Sequence, residues 1–302
     1  MRLALKIDVD TYRGTLEGVP RLMELLQAHQ AQATFLFSLG PDHTGRAIKR
    51  VFRAGFLGKV KRTSVSSHYG LKTLLYGTLL PGPDIGLRCG DILRSVRDAG
   101  FEVGVHCYDH VLWQDYVTQA NDAWTEAEMR KTWARFEAIF GEAPSVHGAA
   151  GWQMNRHALR LEQRLGLQYA SDCRGSEPFI PVWDAEIVAC PQLPTTLPTL
   201  DELIGLDNIT EANVAEHLLE MTAEPPASGH VYTLHAELEG MKLAPVFEQL
   251  LTAWKNQGYE LVSLAQYHAG LDKSTLPHHE FIHGTVAGRS GQLACQGPKF
   301  LA

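Results

Sequence analysis

Short apolar runs alternate with longer amphipathic stretches along most of this 302-residue chain. The runs from Leu3 to Val9, Ala33 to Leu39, Phe101 to Val105, Ser145 to Gly148, Gln168 to Ser171, Glu186 to Cys190, Val231 to Leu234 and Glu260 to Val262 read as strands. Between them, Val19, Leu22, Leu26 and His29 recur at helical spacing, and so do Met129, Trp133, Phe136 and Phe140. The second of these helices is predicted to open at Thr125, with Glu128 completing a capping box, and to close at Gly141 and Pro144. Short strands alternating with helices predict an α/β fold: a parallel sheet with crossover helices, open or closed into a barrel. In such folds functional side chains gather where strands end. Asp8, Asp10, His106, Asp172 and His235 all fall at or just past predicted strand ends.

Two stretches break the alternation. Residues 43–83 are too long for an ordinary connection, and the segment after Leu271 is rich in Gly, His and polar residues. The expected organisation is a main domain over 1–270, interrupted by that insertion, and a C-terminal extension over 271–302. Hydrophobic content of 45% and charged content of 20% suit a folded globular protein. Five cysteines, an odd number without paired spacing, argue for reduced thiols rather than a disulfide framework. No run approaches the ~18 apolar residues of a membrane span. The chain starts directly on a strand-like run without a signal-peptide core, so export is not expected.

Charge adds a further element. The net charge of −7 hides an insertion with no Asp or Glu, in which Arg46, Lys49, Arg50, Arg53, Lys59, Lys61, Arg62 and Lys72 all lie. These are 8 of the 27 basic residues, so 19 basic residues face 34 acidic ones elsewhere, a balance of −15. Apolar pairs such as Val51-Phe52 and Phe56-Leu57 interleave with the cations, as in interfacial amphipathic segments. Each Lys or Arg near an anionic leaflet contributes about 1 kcal/mol, so an anionic membrane surface is the expected partner. A solvated basic loop has the same composition. Nothing resembling a groove-reading motif accompanies the cations, and no nucleic-acid partner is expected.

The chemistry centres on Asp8 and Asp10 and on a His-x-x-x-His pair, His106 and His110. An Asp-x-Asp pair can simply cap a turn. Histidines four apart on a helical turn face one side, however, and a carboxylate completes a facial set of three ligands with open positions on the ion. The second aspartate is then free to accept a proton from the attacking water. Cys107 between the histidines reads as a small buried side chain, and Asp109 as an orienting group or a helix start. His235 ends a distant apolar strand; amide hydrolysis needs an acid for the departing amine, and histidine titrates in the right range. Asp172 reads as an orienting carboxylate or a turn residue. Arg174 reads as a partner for the base aspartate or a clamp for a substrate phosphate.

Asp8-Val-Asp10, His106-x-x-x-His110 and Leu234-His235 resemble, in order and spacing, the motifs of the NodB-homology polysaccharide deacetylases, metal-dependent amide hydrolases with a distorted (β/α) barrel. The fuller strings from Lys6 to Gly14, Gly148 to Trp152, Ser171 to Gly175, Leu197 to Thr199, Leu234 to Gly240 and Ala287 to Arg289 are similar to one branch. That branch removes the formyl group from undecaprenyl-phosphate-linked 4-deoxy-4-formamido-L-arabinose during lipid A modification. The resemblance implies Asp8 as general base and His235 as general acid. It implies one divalent ion (zinc, manganese, cobalt or iron) on Asp10, His106 and His110, with Asp172 supporting the acid. It departs in spacing the usual adjacent aspartates as Asp-x-Asp and in lacking the arginine and tyrosine of the third family motif. Arg174 is expected in that arginine's place beside Asp8, and the backbone at Gly151 as an oxyanion donor. Trp152 and Glu237 are expected as supporting or substrate-binding residues. The implied partner is a polyprenyl-phosphate-linked sugar, met peripherally on the cytoplasmic face of a bacterial inner membrane.

Overall fold

Alternate residues of the first strand face two different apolar environments, and this parity organises the molecule. The computed structural model describes residues 1–47 and 72–301. Its elements run β1 (Arg2–Val9), α1 (Val19–Ala28), β2 (Thr34–Ser38), α2 (Gly90–Asp98), β3 (Glu102–Cys107), α3 (His110–Tyr116), α4 (Asp122–Phe140), β4 (Val146–His147), α5 (Arg156–Arg164) and β5 (Tyr169–Ala170). There follow β6 (Ile180–Trp183), β7 (Glu186–Ile187), α6 (Val214–Met221), β8 (His230–His235), α7 (Ala244–Asn256), β9 (Glu260–Val262), α8 (Leu264–Ala269), β10 (His278–Gly284) and β11 (Leu293–Lys299).

Leu3, Leu5, Ile7 and Val9 join the larger core with Phe35, Phe37, Val103, Val105 and the apolar faces of the helices. Ala4 joins a smaller core with Leu36, Val146, Tyr169, Val231 and Val262. The first core lies between sheet and helices, the second inside the curved sheet. Period two puts Lys6, Asp8 and then Asp10 on the same inner side as Ala4. The interior is therefore apolar at the foot of β1 and polar at its C-terminal end.

The main sheet has the order β5-β4-β3-β2-β1-β8, all parallel, with β9 pairing at the foot of β1. Leu3 and Ala4 pair with both β8 and β9, so β9 sits on the edge that β2 occupies further up. Between β5 and β8 the wall is completed by an irregular segment. Ala170 N–H donates to Pro191 O (2.9 Å), Leu193 N–H to Ala170 O (2.8 Å) and Thr196 N–H to Val231 O (3.0 Å). This closure without a regular strand is the distortion of the barrel.

A second sheet, β11-β10-β6-β7, packs outside. The segment after Leu271, expected as an extension lying on the domain, contributes its β10–β11 hairpin. β11 is stitched to the barrel at Arg174, whose N–H donates to Ala294 O (2.9 Å) and whose carbonyl accepts from Gln296 N–H (2.7 Å). The run Glu186 to Cys190, expected as a barrel strand, forms only Glu186–Ile187 in this second sheet. Thr125 does not open α4. Asn121 caps it by accepting from Trp124 N–H, while Thr125 is buried one turn inside and donates its hydroxyl to Asn121 O. Gly141, at φ 77°, closes the helix as expected.

The central part of the basic insertion, 48–71, lies outside the described residues. Its two ends meet: Gly45 N–H donates to Tyr76 O (3.0 Å) and Arg46 Nε to Gly77 O (2.9 Å). Cys89, Cys107, Cys173 and Cys190 are buried free thiols and Cys295 is half-buried.

Candidate metal centre and active site

Asp10, His106 and His110 converge. His106 Nε2 lies 3.2 Å from Asp10 Oδ1 and His110 Nε2 lies 3.4 Å from Asp10 Oδ2. The histidines do not share a helical turn as expected from their spacing. His106 ends β3 on its inner face, while His110 is the first residue of α3. Between them Asp109 caps the helix by accepting Leu112 N–H (3.0 Å), which swings His110 back towards the strand. Asp109 also meets His43 Nδ1 at 2.5 Å, tying the base of the insertion to the helix that carries His110. Cys107 faces outward against Ser38 Oγ (3.3 Å), and burial pushes its thiol well up.

The donor set fits a divalent cation. Metal–ligand bonds of 2.0–2.1 Å in a tetrahedral set place neighbouring donor atoms roughly 3.3 Å apart, the spacing seen here. Asp10 Oδ1 is buried and makes no hydrogen bond, although an imidazole nitrogen is only 3.2 Å away. His106 Nδ1 meets Gly148 O at 2.5 Å, which fixes the tautomer and turns Nε2 towards Asp10. Burial works to raise the Asp10 carboxyl, but His110, His106 and His235 together hold it far below the usual carboxylate range. A second acidic cluster, His147, Glu162 and Asp172, does not fit an ion in this way. His147 Nδ1 lies 2.6 Å from Glu162 Oε1 and 3.0 Å from Asp172 Oδ1, the spacing of shared protons.

Asp8 sits one inward step below Asp10 and beside His235, its register partner across β1 and β8. Its Oδ1 is buried without a hydrogen-bond partner, 3.8 Å from His106 Nδ1. Its cation is Lys6, not Arg174. Lys6 Nζ lies 3.5 Å from Asp8 Oδ2, donates to Ser171 O (3.0 Å) and is wholly buried. Arg174 instead donates to Glu202 Oε1 (2.6 Å) and Leu197 O (2.9 Å), because its pairing with β11 directs it to that side. Lys6 was the residue missed in the sequence, though its parity with Asp8 and Asp10 was the available signal. Removing one member of a buried ion pair costs about 3–5 kcal/mol. Lys6→Met is therefore expected to lose stability of that order in urea unfolding, with a fall in any turnover that depends on Asp8.

His235 ends β8 on the inner face, its Nδ1 buried without a hydrogen-bond partner and its ring edge-on to Trp152 at 6.5 Å. Asp172 does not support it. Asp172 follows the parity of Ala170 on the outer side, where its oxygens meet His147, Ala149 N–H (2.8 Å) and Gln192 Nε2 (2.7 Å). Behind the backbone of His235 stands Glu239, which accepts the His235 N–H (2.9 Å) and the Tyr232 hydroxyl (3.1 Å). Burial, opposed by His235, pushes Glu239 up to about 7.

Glu237 supports the turn after β1 from beneath. Its Oε1 accepts Asp10 N–H (3.0 Å), Thr11 N–H (2.7 Å) and the Thr11 hydroxyl (2.8 Å). Burial and then the Asp10 charge push its carboxyl well up. A Cβ at Gly14 would meet Glu237 Oε1 at 2.1 Å, so only glycine allows this approach. Trp152 is buried and forms a wall rather than a substrate platform. Lys6 Nζ, Arg174 Cζ and Arg289 Cζ lie 5.4, 5.0 and 4.8 Å from its ring centre. Gly151 beside it takes φ 61°, and a Cβ there would sit 2.3 Å from the Gln114 side chain.

Known proteins resemble this chain in sequence and in fold. The family model described as polysaccharide deacetylase matches residues 4–170. The chain is 39% identical over 297 residues to a Shewanella sediminis (strain HAW-EB3) protein named "Probable 4-deoxy-4-formamido-L-arabinose-phosphoundecaprenol deformylase ArnD", covering 98% of this chain and 94% of that one. A Wigglesworthia glossinidia brevipalpis protein of the same name is 31% identical over 284 residues, covering 94% and 98%. Among solved structures, a candidate polysaccharide deacetylase from Mycobacterium smegmatis superposes with a TM-score of 0.64 at 17% identity, covering 94% of each chain. A CE4 family pseudoenzyme from Bacillus anthracis superposes at 0.51 with 13% identity, covering 93% of this chain and 69% of that one. The last case shows that this fold also occurs without activity, so the side chains must carry the functional argument.

Proposed function

Because this chain belongs to the polysaccharide deacetylase family, we propose that its metal centre performs the amide hydrolysis for which its relatives are named. The protein is a hydrolase acting on a linear amide bond. Its substrate is 4-deoxy-4-formamido-L-arabinose on phosphoundecaprenol, and its products are formate and the free 4-amino sugar on the same carrier. Near-complete coverage at 39% identity supports this substrate, and the convergence of Asp10, His106 and His110 is the observation that carries the chemistry.

A divalent ion on those three residues would polarise the formyl carbonyl and ease deprotonation of the attacking water. Asp8, held by Lys6, accepts that proton. The N–H at Gly151 would donate to the developing oxyanion. His235 protonates the departing nitrogen from the neighbouring strand. In mass spectrometry of purified protein with the formylated lipid-linked sugar, loss of 28 Da is expected, abolished by chelator and restored by one divalent metal. Turnover of water-soluble acetylated sugars with the formylated lipid left intact would sink the substrate assignment.

The substrate's carrier is a lipid, and the enzyme meets it peripherally at an anionic, cytoplasmic leaflet. No helix among the described residues is long and apolar enough to cross a membrane. Support for surface attachment comes from the cations of the insertion and from Leu75, Leu79 and Leu80 at its base, with Leu79 81% exposed. Replacing the eight Lys and Arg residues by Gln is expected to abolish co-sedimentation with anionic liposomes. Undiminished binding would return the segment to a solvated loop.

A further inference from the structure

The cluster of His147, Glu162 and Asp172 lies on the outer side of the barrel wall, directly behind the metal centre, and the mechanism above does not use it. All three side chains are at most 3% exposed. His147 is the second residue of β4, turned outward between α5, which brings Glu162, and the end of β5, which leads to Asp172. We propose that His147 is a positioning residue for the metal ligand His106, acting with Asp172 through the single peptide unit that joins Gly148 and Ala149.

The geometry of that peptide carries the argument. A trans peptide points its C=O and N–H in opposite directions in one plane. Here the carbonyl of Gly148 faces inward and accepts from His106 Nδ1 at 2.5 Å. The N–H of the same unit, on Ala149, faces outward and donates to Asp172 Oδ1 at 2.8 Å. Asp172 Oδ1 is in turn held 3.0 Å from His147 Nδ1, while Oδ2 accepts from Gln192 Nε2 at 2.7 Å. The strand is fixed on either side by Gly148 N–H to Val105 O (3.1 Å) and Ser171 N–H to His147 O (2.8 Å). Rotating the carbonyl away from His106 would pull the N–H off Asp172, so the outer cluster sets the orientation of the inner ligand.

Electrostatics agree with a fixed charge at the outer end. Burial opposes it, but Asp172 and Glu162 raise His147 to about 10, and His147 holds the buried Asp172 carboxyl down. Burial and the Asp172 charge push Glu162 well up, towards its neutral form. The cluster thus presents an imidazolium and a carboxylate with little net charge. Gly148 permits the arrangement, because a Cβ there would meet Leu36 Cδ1 at 2.3 Å and Lys6 Cε at 2.9 Å.

This inference rests on Asp10, His106 and His110 being the metal set, and a cobalt(II) titration of metal-stripped protein, followed by visible absorption, tests both separately. Groups that orient a ligand histidine typically change metal affinity by roughly 10–100-fold when lost. His147→Leu is expected to weaken cobalt binding within that range, and His147→Gln, which keeps a donor for Asp172, to regain most of it. Should His147→Leu fail to fold, Asp172→Asn carries the same expectation. Wild-type affinity in a folded His147→Leu or Asp172→Asn protein, with Asp10→Ala unable to bind, overturns the positioning role alone. Unchanged binding in Asp10→Ala overturns both. Weaker binding confined to variants that have lost cooperative melting also overturns the proposal, leaving the cluster a role in stability only.

Discussion

Asp8→Asn is expected to lower kcat by roughly 10²–10⁴-fold, the usual contribution of a positioned general base, while cobalt affinity stays at its wild-type value. The substitution keeps size and removes basicity. It leaves Asp10, His106 and His110 untouched, His106 Nδ1 lying 3.8 Å from Asp8 Oδ1. The buried, unpartnered Oδ1 of Asp8 is the only oxygen of that carboxylate free of Lys6. If Asp8→Asn turned over at the wild-type rate, the proton would have to leave the attacking water by another route. Parallel titration and single-turnover measurements separate this from a binding defect, because a lost base depresses the chemical step and leaves KM nearly unchanged.

Asp10→Ala is expected to have the larger effect. It removes the one carboxylate that both histidines face, at 3.2 and 3.4 Å, so metal binding should fall below detection. Turnover should drop by at least about 10³-fold, since several kcal/mol of charge stabilisation leave with the ion. Added metal should not rescue it, whereas metal-stripped wild type recovers. Activity of Asp10→Ala within tenfold of wild type would show that the ion, if bound, is held elsewhere.

The meeting of Asp10, His106, Asp8 and His235 was legible in the sequence because each sits at or just past a strand end, and parallel strands gather such ends on one rim; His110 joins them from the first turn of the helix that follows β3. What was not legible depended on which side of the wall a residue faces. Asp172 and Arg174 stand within two positions of each other past β5, and chemistry alone allowed them to serve His235 and Asp8. The irregular closure at 191–196 and the pairing with β11 direct them outward instead, to His147 and Glu202. Asp109 does start a helix, as its place in the sequence allows, but that start falls between His106 and His110, so the two histidines stand on different elements rather than on one helical turn. The second sheet was hidden for a different reason. In β10 the buried alternate positions are His279 and Phe281, and a buried histidine breaks the apolar signal on which strand reading relies. A lysine in an apolar strand carries no sign of its partner in the sequence; here Lys6 is fully buried beneath the site, against Asp8.

The state of the sulfur atoms has a practical consequence for studying how the enzyme meets its lipid. Four of the five thiols are buried, and desolvation pushes Cys89 up to about 11 and Cys107, Cys173 and Cys190 well above the ordinary range. Only thiolates react readily with maleimides, so the natural chain offers a quiet background for probe chemistry. Leu79→Cys could then carry an environment-sensitive dye, reporting vesicle contact with all five native cysteines left in place.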